Sequence, residues 1–406
     1  SRGLGDVYKR QAFNGLTIFK DKTKLSPHYI PKILPHREKQ LKMFRSLYSD
    51  VIERPAYPII TQAIGGVGTG KTCTTIRFGE TLEEEAKRKG VDLKHVYVNL
   101  KMLGGSRVVL YRSIVEQAAP EIYSASLSAE ELLRQLVRYL QDKGRKLIIS
   151  LDEIDYFIKH TKERVIYDLT RLSEITPGKP SGVVGVIFIA RDKSYHELLD
   201  RSELSTLGRN YVEFPRYSSK QIVDILEARV QEAFKPNTVP EEVLEYIADV
   251  TVAPPVFGDI RYALDLLLYT GNLADNEGSS RITPEHVRKV HSVMFHGLTE
   301  EDILGLPNKE KIVLLGIVRA LKAYNEPYVS LKDIREYCEL VCEELGVKKI
   351  SDIEEYVQDL CDRGIIDIKS LTKIGISGVP TEKLGQFLDN ILQRVKVERT
   401  RPKKRD

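Results

Sequence analysis

The stretch YPIITQAIGGVGTGKT, residues 57–72, passes from a β-branched apolar run directly into a glycine-rich loop. Its last eight residues fit the pattern GxxxxGK[ST] through Gly65, Gly70, Lys71 and Thr72. A strand is predicted before the loop and a helix after it, which is the context the pattern needs. Glycines let successive backbone N–H groups turn inward around phosphates. The helix that follows adds the partial positive charge of its N-terminus. Gly66, Val67, Gly68, Thr69, Gly70, Lys71 and Thr72 form the candidate phosphate cradle. Lys71 is expected to reach the β- and γ-phosphates of ATP, and Thr72 to ligate Mg2+. The loop alone leaves open whether the nucleotide drives chemistry, powers a motor or sets a switch.

Four more short runs rich in Ile and Val follow: HVYVNL (95–100), KLIISLD (146–152), VVGVIFIA (183–190) and YVEF (211–214). They are too short for helices, and their near-continuous apolar character suits strands buried on both faces of a parallel sheet. The segments between them are long enough for crossover helices, which predicts an α/β P-loop domain with five strands over 25–216. KLIISLD delivers two carboxylates at its C-terminal end, beside the phosphate loop. Asp152 is expected to hold Mg2+ through water, and Glu153 to orient or deprotonate the attacking water. Asp155 reads as structural.

From Tyr217 the strands vanish. SSKQIVDILEARVQEAF, PEEVLEYIADVTV, GDIRYALDLLLYTGNLA and TPEHVRKVHSVMF have helical periodicity, which predicts an all-helical domain over 217–296. HGLTEEDILGLPN carries Gly and Pro and reads as a linker, 297–308. Three helices and two short β-like runs then give a winged helix-turn-helix layout over 309–392. The residues from 393 form a basic tail, QRVKVERTRPKKRD, with seven Lys/Arg against two acids. Residues 1–24 are set aside as a leader, partly non-native or disordered, because SRGLGDVYKRQ shows no periodicity.

Composition bounds the rest. A chain of 406 residues with 42% apolar and 30% charged residues fits a soluble protein of two or three domains, and a cytoplasmic location is expected. No apolar run approaches the length of a membrane span. A net charge of +4 does not by itself imply nucleic acid. Cys73, Cys338, Cys342 and Cys361 lack CxxC spacing, which argues against zinc and a disulfide framework. A bridge from Cys361 to Cys338 or Cys342 is the minor alternative.

The Asp-Glu pair together with the helical domain after the fifth strand resembles the AAA+ ATPases, whose nucleotide sits between an α/β base and a helical lid. The resemblance makes Arg261 of GDIR (258–261) the candidate γ-phosphate sensor and Arg201 the candidate arginine finger, with Arg209 second. Further features resemble archaeal replication initiators of the origin recognition complex and cell division control type. IPKILPHREKQL (30–41) is similar to the family's adenine-packing segment, and FPRYSSKQIVDILEARVQEAF (214–234) to its lid start. The latter implies nucleotide contacts for Tyr217 and Arg229. The 81 positions from Lys71 to Asp152 leave room for an added helical element at MLGGSRVVLYRSIVEQ (102–117). In the family this element touches DNA, which makes Arg107 and Arg112 candidates.

Two departures qualify the resemblance. Where the family usually has Asn at the end of the fourth strand, this chain has Arg191, a permanent cation of different reach, so hydrolysis is expected to be slow. The candidate recognition helix, SDIEEYVQDLCDRG, holds five acids against Arg363, and an acidic helix is repelled by phosphates. DNA contacts are therefore expected from Lys348, Lys349 and Ser351 before it, and from Lys369, Thr372 and Lys373 on the wing. Tail residues Arg399, Arg401, Lys403 and Lys404 add to that set. The resemblance implies ATP/ADP and Mg2+ as cofactors. Duplex origin DNA is the implied partner, joined by initiator paralogues and a replicative helicase. The alternative reading is a regulatory or remodelling AAA+ ATPase whose winged helix binds protein.

Overall fold

The computed structural model describes residues 17–54, 57–294 and 298–400, with side chains through Gln393. Two compact units form. Of the described residues, one contains those of 30–221 together with Phe257–Ile260; the other contains 17–29, Ile222–Val256 and those of 261–400.

In the first unit all five expected strands form: β1 (Ile59–Ile64), β2 (Leu93–Asn99), β3 (Lys146–Asp152), β4 (Val183–Ala190) and β5 (Tyr211–Glu213). They make one parallel sheet in the order β2-β3-β4-β1-β5. Its two faces carry separate cores. Leu147, Ile149, Leu151, Val186 and Phe188 face one core, while Ile148, Ile187 and Ile189 face the other, which Phe44 and Phe78 complete. The period-2 alternation of strand side chains thus buries every residue of β4, which explains its unbroken apolar run. The added element is a helix, Arg107–Ala118, whose Leu110, Tyr111, Ile114 and Val115 are buried in the first core.

The second unit joins two helical layers. The expected lid helices are Ser219–Ala233, Glu241–Val252, Ile260–Asn276 and Pro284–Met294. The C-terminal part packs helices Asn308–Tyr324, Leu331–Leu345 and Ile353–Asp362 against a three-stranded antiparallel sheet. That sheet has the order β6 (Tyr328–Val329), β8 (Lys373–Gly375), β7 (Asp367–Ser370). This is a winged-helix arrangement. The first two of its helices approach closely at Gly316, where an added Cβ would meet Cys338 Sγ at 2.5 Å.

The structure corrects three expectations. The leader does not extend to residue 24. Ile18 and Phe19 are buried, and Phe19 stacks on Phe234 with ring centroids 4.5 Å apart. Lys20 N–H donates to Ala233 O at 2.8 Å, so this segment is a strap on the lid; residues 1–16 lie outside the described residues. The linker is not structureless. Thr299 and Asp302 form a reciprocal capping box that starts a helix, Glu300–Leu304, and Ile303 and Leu306 enter the winged-helix core. The tail is helical at its start, because the last helix, Thr381–Thr400, runs past Leu392. All four cysteines are free.

Candidate functional site

The phosphate loop ends β1 and opens the helix Lys71–Arg88. Gly68 and Gly70 have φ of 68° and 81°, the left-handed region that favours glycine. At Gly68 a Cβ would also run into the Asp259 carboxylate, and at Gly70 it would meet the Tyr217 hydroxyl oxygen at 2.7 Å. The loop is therefore closed in from outside by Asp259 and Tyr217. Lys71 Nζ donates to Gly65 O at 2.5 Å and Gly66 O at 2.7 Å. An ammonium at this point sits at the mouth of the cradle, where a polyphosphate's negative charge would compete with the two carbonyls for it.

Strand order brings the second half of the site alongside. β4 separates β1 from β3, and all three end at one carboxyl edge, where ligands of open parallel sheets gather. Thr72 Oγ1 donates to Asp152 Oδ2 at 2.5 Å, across 80 residues of sequence. Tyr97 O–H donates to the same oxygen at 2.8 Å, and Glu153 N–H donates to Asp152 Oδ1 at 2.8 Å. Burial beside this carboxylate raises the Tyr97 pKa. A hydroxyl touching a carboxylate is a hard-oxygen pair of the kind Mg2+ accepts beside water and phosphate oxygens. Among the described residues no cluster of three acidic, His or Cys side chains could cage an ion. The pair fits an ion that keeps most of its shell as water and phosphate.

Glu153 has φ of 59°, a strained value for a residue with a side chain, and such strain concentrates at working sites. Its carboxylate pairs with Arg191 Nη2 at 3.1 Å. Burial raises the Asp155 pKa, and its Oδ1 is buried without a hydrogen-bond partner.

Sequence reasoning passed over Arg37, which is 2% exposed. Its Nε donates to Thr69 O at 2.9 Å and its Nη2 to Pro215 O at 3.0 Å, while the guanidinium lies 3.8 Å from the Tyr217 ring centre. Arg37 thus ties the loop to the Tyr217 hinge. Burial pushes the Tyr217 hydroxyl up to about 12 and lowers the Arg37 pKa. The only sequence signal was position, a lone arginine opening the helix Glu38–Leu47. Arg77 holds the IPKILP segment in place, donating to Pro31 O at 2.8 Å and Ile30 O at 3.0 Å.

Residues 59–199 match the model of the AAA domain, and residues 223–292 that of the Cdc6 AAA+ ATPase-type lid domain. The ORC1-type DNA replication protein 2 of Sulfurisphaera tokodaii is 31% identical over 397 residues, 94% of each chain. The chain belongs to the ORC1-type DNA replication protein family. The ORC1-type protein of Pyrococcus furiosus is 32% identical over 366 residues, covering 88% of this chain and 84% of the relative. Among solved structures, Cdc6p of Pyrobaculum aerophilum aligns with a TM-score of 0.79 at 28% identity, over 93% of this chain and all of that one. The Aeropyrum pernix ORC1 protein in complex with DNA aligns with a TM-score of 0.60 at 26% identity, over 94% of this chain and 98% of that one.

The remaining candidates in this ORC1-type chain are distributed as follows. Arg229 is buried and turns toward the strap, donating to Lys24 O at 3.2 Å and lying 4.9 Å from the Tyr29 ring centre. Arg261 is exposed near the start of the third lid helix. Arg201 is exposed at the start of the helix Arg201–Leu207, which Asp200 caps. Arg107 calls for a correction. It pairs with Glu130 at 2.6 Å, Asp168 at 3.0 Å and Glu163 at 3.3 Å, so it clasps three segments of the base instead of facing a phosphate. Arg112 donates weakly to Ser124 O and Ala125 O, at 3.4 and 3.3 Å. Lys348, Lys369, Thr372 and Lys373 are exposed, with Leu371 at 71% exposure on the wing tip. Lys349 pairs with Glu339 and Lys373 with Glu245, and Ser351 donates to Asp352. Of the four tail candidates, Arg399 lies beyond the described side chains, and Arg401, Lys403 and Lys404 lie outside the described residues.

Proposed function

We propose that this chain is an ATP-switched initiator that binds duplex origin DNA and hydrolyses ATP slowly. The observation that carries the reading is the meeting of Thr72 with Asp152 beside Lys71, at the edge where Glu153 also stands. Lys71 binds and orients the polyphosphate. Thr72 and Asp152 hold Mg2+, which supplies charge neutralisation on the phosphates when bound. Glu153 takes the proton of an attacking water. Arg261 pairs with the γ-phosphate and so gives ATP and ADP different affinities for the two lid positions, without which no ligand can shift a conformation. Glu153→Gln is expected to keep ATP affinity and lose about 10²-fold or more in turnover, the range of one general base. Undiminished turnover in a phosphate-release assay would remove Glu153 from this role.

The proposed DNA surface comprises Lys348, Lys349, Ser351, Lys369, Thr372 and Lys373, with the wing and the start of the recognition helix against the backbone. With about four phosphate contacts, affinity should fall about 150-fold between 50 and 200 mM salt. Footprinting with ATP and with ADP tests the switch, and a salt series tests the charge. One feature favours a second reading, a winged helix that binds protein. Glu354, Glu355, Asp359 and Asp362 line the exposed face of the recognition helix. A flat salt response would support that reading and sink duplex recognition. Initiator paralogues, a replicative helicase and delivery of Arg201 to a neighbouring subunit's nucleotide belong to the same proposal.

A further inference from the structure

The carboxyl edge of the base sheet sets a cation directly against the water-orienting acid. Ile64 of β1 is in register with Ala190 of β4, and Asp152 of β3 with Ile189. Residue 191 is therefore the first to leave the sheet between the phosphate loop and the two acids. Arg191 Nη2 donates to Glu153 Oε2 at 3.1 Å. Both backbones are fixed nearby. Glu153 N–H donates to Asp152 Oδ1, and β4, which runs into Arg191, is paired on both sides, with β1 and β3. The side chains are 46% and 25% exposed, so solvent partly screens the pair.

We propose that Arg191 is a positioning residue that restrains hydrolysis by occupying the Glu153 carboxylate. The inference rests on the assignment of Glu153 given above. Hydrolysis forms a bond from a water oxygen to the γ-phosphorus and breaks the bond to the β–γ bridging oxygen. The water proton passes to Glu153, which returns it to solvent. The guanidinium engages Oε2, one of the two carboxylate oxygens, and so favours the rotamer that turns Glu153 toward the cation over the one that turns it toward water. Arginine keeps its charge throughout the accessible pH range, so the restraint persists until another anion or a rotamer change releases Glu153. Asparagine, shorter and neutral, would leave the carboxylate free for water. The arginine at this position thus lengthens the life of the ATP state.

The test compares Arg191→Asn, Arg191→Lys and Glu153→Gln. Arg191→Asn is expected to speed single-turnover hydrolysis about two- to fivefold, the upper part of the bias one partly exposed ion pair gives, with ATP affinity unchanged within about twofold. Arg191→Lys, which keeps a cation, should fall between it and the wild type. Without nucleotide, the shifts in unfolding midpoint of Arg191→Asn and Glu153→Gln should be non-additive in the double variant. Slower or unchanged turnover in Arg191→Asn overturns the restraint. So does a large loss of ATP affinity, which would assign the guanidinium to phosphate, and so do additive midpoints. If Glu153→Gln turns over normally, the assignment of Glu153 fails and the restraint with it, while non-additive midpoints would mark the pair as purely structural.

Discussion

Lys71→Ala is expected to abolish nucleotide binding while leaving the fold intact. The ammonium makes two short contacts to loop carbonyls, at 2.5 and 2.7 Å, and these are the groups a bound polyphosphate would displace. Two charge-assisted hydrogen bonds to phosphate are worth about 1.5–3 kcal/mol each. Losing both raises the dissociation constant about 10³-fold. The loop itself does not need the ammonium. Its shape is set by left-handed Gly68 and Gly70, by Thr69 Oγ1 donating to Gly66 O at 2.9 Å, and by Arg37 on Thr69 O. The nucleotide-free unfolding midpoint should therefore barely move, whereas the midpoint rise on adding ATP should vanish, as linkage requires. Titration with a fluorescent ATP analogue reads the first effect and thermal unfolding the second. Retained affinity would remove the phosphate loop from the argument.

What the sequence made legible was local or periodic. β4 begins and ends where its apolar run does, because a strand buried on both faces leaves no polar residue to blur the boundary. The phosphate loop was legible because its sequence pattern lies within eight residues. What stayed hidden depends on partners far apart in sequence. Arg107 looked like a surface cation because Glu130, Glu163 and Asp168 reach it only after folding. β6 has two residues, too few for any period, and exists because β8 pairs with it. The strap from Thr17 carries no pattern of its own; its Ile18 and Phe19 are buried by the lid. The Thr299 capping box was present in the letters TEED, but Gly and Pro nearby masked it.

Arg288 was equally invisible, and its removal is expected to have the largest effect on stability. On an amphipathic helix an arginine reads as solvated, yet Arg288 is 1% exposed. It leaves the lid helix Pro284–Met294 and enters the winged-helix part of the same unit. Its Nε donates to Ile376 O at 2.9 Å, and its Nη2 to Glu326 O at 2.9 Å and Pro327 O at 3.0 Å. Glu285 accepts from its Nη1 at 3.3 Å and is itself held by the Thr381 hydroxyl at 2.7 Å. Arg288→Ala would strand two carbonyls and leave a partly buried carboxylate with only the Thr381 hydroxyl, whereas Ile376 O keeps the Tyr246 hydroxyl at 3.0 Å. Breaking such a buried cluster from one side costs about 3–5 kcal/mol. For a unit of this size that lowers the unfolding midpoint by roughly 6–20 °C. Arg288→Lys should recover only part of it, because one ammonium cannot match a planar fork that serves three carbonyls. A midpoint within about 2 °C of wild type for Arg288→Ala would show that the cluster does not hold the two layers together. If the loss is found, the lid and winged helix move as one body, and a nucleotide that shifts the lid carries the proposed DNA-binding surface with it. Footprints of Arg288→Ala, taken below its midpoint, should then lose their difference between ATP and ADP.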